Sequence, residues 1–99
     1  MNPLVEQFFD ALDKSPQAVP DKMIRPYLSS AKWTGDQEAL RQLTILQDFL
    51  DNQVAPNDID RATVLLCKRM AQRMVKAGAW SESALGQFSL WPPEANEVH

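Results

Sequence analysis

Ninety-nine residues, 44% hydrophobic and 23% charged, suffice for one modest core that buries roughly two thirds of the surface of the unfolded chain. Three glycines and a balanced apolar content exclude collagen-like and intrinsically disordered classes. A single cysteine and a single histidine exclude an internal disulfide and a zinc site made of the usual nitrogen and sulfur ligands.

The chain opens Asn2-Pro3, an N-cap followed by proline at the first helical position, where its missing N–H costs nothing. Leu4, Val5, Phe8, Phe9, Ala11 and Leu12 then share about 160° of a helical projection, with Glu6, Gln7, Asp10, Asp13 and Lys14 opposite. This predicts an amphipathic first helix with an acidic outer face, ended at Ser15-Pro16. Pro20 and Pro26 bracket the next segment, and a proline deep inside a helix removes a hydrogen bond and clashes with the preceding turn. The expectation is therefore a short helical turn, then a second start near Pro26 carrying Tyr27 and Leu28.

Around Gly35, either Thr34 with Gln37 as a capping box or Asp36 alone starts a third helix running to about Gln53. Its apolar residues Ala39, Leu40, Leu43, Ile45, Leu46, Phe49, Leu50 and Val54 spread over about 220°, which predicts cover on two sides. Ala55-Pro56-Asn57 breaks the chain, with Asn57 as the expected cap of a fourth helix that ends at Ala77 with Gly78 as its stop. Residues 36–53 and 58–77 are thus expected to pair as a central antiparallel hairpin across a short loop. Ser81 should cap a short fifth helix carrying Leu85 and Phe88, flanked by Trp80 and Trp91 and stopped by Pro92-Pro93.

Together these features predict an all-α fold: one small domain over residues 1–91, of four to five helices in a bundle-like or orthogonal array. Residues 92–99 are expected to form a frayed polar tail. The N-terminus lacks the basic and apolar stretches of a secretory signal, and no apolar run approaches the roughly 18 to 20 residues that span a bilayer. With a lone cysteine, a cytoplasmic address without membrane attachment is expected.

Reactive groups are scarce. His99 is terminal and Cys67 lies on the apolar arc of the fourth helix, so a nucleophile with a histidine base has no credible arrangement. Asp58 with Asp60, and Asp48 with Asp51, read as helix-start and solvated acids and do not match a calcium loop. Gly35, Gly78 and Gly86 stand alone, so no phosphate-cradling loop exists. No catalytic, metal or cofactor residues are expected.

The net charge of −3 conceals a strong segregation. Residues 1–60 carry ten acids and five bases, residues 61–79 five bases and no acid, and residues 80–99 three acids and no base. Arg61, Lys68, Arg69, Arg73 and Lys76 occupy about 140° opposite the apolar stripe of the fourth helix, with Leu65 in their midst. Such an arc attracts an acidic protein surface or phosphates, or solvates the helix and pairs with neighbouring acids. Trp80 and Trp91 offer a second candidate surface, or a lid over the core.

The functional expectation is a non-catalytic protein-interaction module, such as a bacterial or phage-type adaptor, inhibitor or chaperone-like regulator. Its candidate surface is Arg61, Leu65, Lys68, Arg69, Arg73, Lys76, Trp80 and Trp91. Two alternatives stand beside it: a nucleic-acid accessory protein using the basic arc, and a structural homodimer. A pI near 5.0 and the lack of aromatics interleaved with these bases weigh against nucleic acid.

Overall fold

The computed structural model describes residues 2–88. It is all-α, with α1 (Pro3–Lys14), α2 (Pro20–Thr34), α3 (Gln37–Asn52), α4 (Arg61–Lys76) and the single turn α5 (Ser83–Gly86). No strand occurs among the described residues. The chain divides into two compact units, residues 1–51 and 52–99. The helices expected to form a hairpin, α3 and α4, fall one in each unit.

In the first unit, α1 begins as expected. The Asn2 side-chain oxygen accepts from the N–H groups of Leu4 (2.9 Å) and Val5 (3.3 Å), satisfying two of the donors that a helix start leaves open. Val5, Phe8, Phe9 and Leu12 are buried, and Glu6, Gln7, Asp10 and Asp13 are exposed. The Phe8 ring meets Phe9 edge-on at 5.3 Å and Tyr27 of α2 at 5.5 Å, and α1 packs on α2.

The interruption expected near Pro26 does not occur. Helix α2 takes Pro20 at its first turn and runs through Pro26 to Thr34. Pro26 lies on the exposed side of the helix, and it has no N–H to give to the Lys22 carbonyl. Burial of Ile24 and Ala31 on either side of the proline, with Tyr27 and Leu28 half-buried, holds one continuous face against the unit and outweighs the local penalty. Gly35 closes α2 at φ +71°, a left-handed conformation in which a side chain is strained, and the Asp36 N–H returns to the Ala31 carbonyl.

Of the two starts open for α3, Asp36 is the one used. Its carboxylate accepts from the Ala39 N–H at 3.1 Å, while the Thr34 hydroxyl turns back to the Ser30 carbonyl. The same carboxylate accepts from Asn2 Nδ2 at 3.1 and 3.2 Å, so one acid joins the caps of α1 and α3 across 34 residues of sequence. Asp36→Ala should therefore lower the stability of the protein by about 1–2 kcal/mol, the usual cost of a lost cap. Denaturant titration should also show Asn2→Ala costing less in the Asp36→Ala background than in the wild type; strictly additive effects would mean that the link contributes nothing.

Ala39, Leu43, Leu46, Phe49 and Leu50 of α3 are buried, with Ile45 and Leu40 half-buried. Gln42 is buried among them, and its Oε1 accepts no hydrogen bond among the described residues. Val54 does not belong to this stripe, contrary to the sequence reading. The helix ends at Asn52, Gln53 turns left-handed at φ +61°, and Val54 is 68% exposed.

In the second unit, α4 starts three residues later than the Asn57 cap implies. Asn57 and Asp58 form a turn, and Asp60 holds the cap position. Its carboxylate accepts the Thr63 hydroxyl at 2.5 Å, which satisfies the one buried polar side chain of the helix. The chain before this start is tied by Gln87. Its amide oxygen accepts from the Ala55 N–H (2.8 Å), and its amide nitrogen donates to the carbonyls of Gln53 (2.9 Å) and Ala84 (2.8 Å), tying residues 53–55 to the turn of residues 84–87. At the other end Gly78, at φ +78°, stops the helix as expected, with its N–H on the Val75 carbonyl and that of Ala79 on the Met74 carbonyl.

Helix α5 packs on α4 and is shorter than its Ser81 start suggested, beginning at Ser83. Leu85 is half-buried, and Phe88, just past its end, is buried.

Candidate interaction surface on the fourth helix

Two faces divide α4 cleanly. Thr63, Val64, Leu66, Cys67, Met70 and Ala71 are buried, and Arg61, Leu65, Gln72 and Lys76 are exposed. Lys68, Arg69 and Arg73 lie half-buried along the flanks, the usual posture of long side chains that lay apolar stems on protein and keep their charge in water. From Arg61 to Lys76 the arc runs about 22 Å along the helix. Arg73 and Lys76 occupy the last turn, where the helix dipole favours cations.

The structure thus brings Arg61, Lys68, Arg69, Arg73 and Lys76 onto one side of one helix, as the sequence predicts. Leu65 sits at the centre of that arc and is 40% exposed. Arg61, Arg69 and Arg73 each take part in interactions within the protein. Lys68 and Lys76 meet no carboxylate within ion-pair distance among the described residues; the ion pair of Arg41 with Glu38, at 2.8 Å, lies on α3.

Trp80 follows the helix rather than lying on it. It is half-buried beyond the Gly78 turn, its N–H returning to the Met74 carbonyl at 3.2 Å. Trp91, the Pro92-Pro93 stop and the expected tail of residues 92–99 lie outside the described residues.

Chemistry elsewhere in the described chain is sparse. Cys67 is fully buried, and burial pushes its thiol up to about 12, far from the range of a reactive cysteine. No group of three or more histidine, cysteine, aspartate or glutamate side chains is placed to hold a metal ion among the described residues. Val54, Ala55, Pro56, Asn57, Val64, Gln87 and Phe88 line a cleft of about 110 Å³, well below the ~300–1,000 Å³ of small-molecule sites. Among the described residues no helix is long and apolar enough to cross a membrane.

One exposed feature escaped the sequence reading altogether. Trp33, near the end of α2, is 91% exposed. Its position on the outer face follows from the helical projection of α2, which places it away from Ile24 and Ala31.

Compared with known protein families, curated proteins and solved structures, this chain matches none.

Proposed function

We propose that this protein is a small cytoplasmic interaction module, an adaptor or inhibitor, that binds another protein through the outer face of α4. The observation that carries the reading is Leu65, an exposed apolar residue set among Arg61, Lys68 and Lys76. Solvating a helix requires no leucine at the centre of its charged face, whereas an apolar centre with a charged rim is the ordinary anatomy of a binding patch. The bases steer an acidic partner to the face, and Leu65 is covered on docking. A binding role without catalysis also fits the burial of the one cysteine.

The test is capture from the cell of origin with the wild-type chain and with a Leu65→Asp/Lys68→Glu/Lys76→Glu variant. All three side chains face away from the buried stripe, so circular dichroism of the variant should be unchanged. A defined protein retained by the wild type and lost from the variant is the expected result. Nucleic acid released by moderate salt would favour the phosphate-binding alternative. No protein partner at all, or self-association alone in sedimentation, would contradict the reading.

A further inference from the structure

The outer face of α2 carries a second arrangement of the same kind, on residues that play no part in the α4 surface. Lys22, Arg25, Ser29, Lys32 and Trp33 are all exposed, and at 100° per residue they share an arc of about 100°. None of the three cations has a carboxylate within ion-pair distance among the described residues, and Trp33 makes no ring contact there. Asp21 stands at the edge of the arc as the one acid of α2.

We propose that this face of α2 docks an acidic helical segment of another protein, with an apolar side chain of that segment covering Trp33. Arg25 and Lys32 are seven residues apart, two helical turns on the same side and about 10 Å along the axis. Carboxylates two turns apart on a partner helix match that spacing. Trp33 beside Lys32 supplies the large, rigid apolar contact that recurs at interface hot spots. Three cations release too few counterions for firm nucleic-acid binding, and a lone tryptophan stacks one base where single-strand platforms present several aromatics in succession. The charge of the face therefore selects an acidic protein segment over a polyanionic strand.

The experiment uses the full chain and a synthetic helical peptide of Glu, Leu and Ala with glutamates seven positions apart. Tryptophan emission should shift to the blue and saturate in the wild type, and the shift should vanish in Trp33→Phe, which changes an exposed side chain and leaves the fold intact. Affinity should fall about tenfold or more in Arg25→Glu/Lys32→Glu, weaken with salt, and stay unchanged in Leu65→Asp, which separates this face from that of α4. Absence of a saturable shift overturns the proposal. So does an equal response to the same peptide with lysines in place of glutamates, or tighter binding of an oligothymidylate strand than of the acidic peptide.

Discussion

Phe8→Ala is expected to cost about 3–5 kcal/mol, the largest loss of any single substitution considered for this chain. Phe8 is fully buried, and its ring touches Phe9 at 5.3 Å and Tyr27 at 5.5 Å, so truncation removes the transfer free energy of a ring and two aromatic contacts at once. Each aromatic pair is worth about 0.5–1.5 kcal/mol beyond its area. The contact with Tyr27 is also the one that crosses from α1 to α2, so the cavity opens at the seam between two helices. A protein of this size has about 5–15 kcal/mol in all, and a thermal midpoint lower by roughly 15–30 °C follows. Gln7→Ala, one residue away on the exposed face, should change stability by less than about 0.5 kcal/mol. Equal effects at the two positions would mean that α1 does not bury the face described.

Cys67 supplies the second large effect. Burial raises its thiol from the ordinary value of 9.0 to about 12, so at pH 8 its thiolate fraction falls about a thousandfold below that of the unfolded chain. Labelling by a disulfide reagent at pH 8 should therefore be slower in native buffer than in denaturant by that factor or more. The same shift has a definite sign in stability. Below pH 9 the thiol is protonated in both states and the contribution is complete. Between pH 9 and about 12 the unfolded chain ionises while the folded chain resists, so stability falls with rising pH at up to about 1.4 kcal/mol per unit. Comparison with Cys67→Ala, which cannot ionise, isolates the slope that belongs to this thiol. Fast labelling in native buffer would show an accessible thiol and would reopen the chemistry of this residue.

What the sequence made legible was local and periodic. The Asn2-Pro3 start, the burial of Phe8, Phe9 and Leu12, the Gly78 stop and the position of Leu65 among the bases all follow from capping chemistry and helical spacing within one element. What it concealed depends on contacts between elements. Pro26 reads as a break because its local cost is visible, while the burial of Ile24 and Ala31 that outweighs it is not. Asn57 reads as a cap because nothing near it reveals that Gln87, 32 residues beyond Ala55, ties the preceding chain. Trp33 lies opposite Ile24 and Ala31 on the same helix, so its exposure follows from the burial of that face.

The candidate surface divides in the same way. Its α4 members, Arg61, Leu65, Lys68, Arg69, Arg73 and Lys76, lie on one helix, so spacing alone groups them. Trp80, expected with Trp91 in a second surface or a lid, is half-buried beyond the Gly78 turn.

The proposal that this protein works by binding through α4 is tested most directly by crosslinking in the cell of origin from a photoreactive side chain placed at position 65. Position 7, exposed on α1, serves as the control. The expected result is one distinct protein crosslinked from position 65 and absent from position 7. Crosslinks to nucleic acid, to a second copy of the chain alone, or to the same proteins from both positions would contradict it.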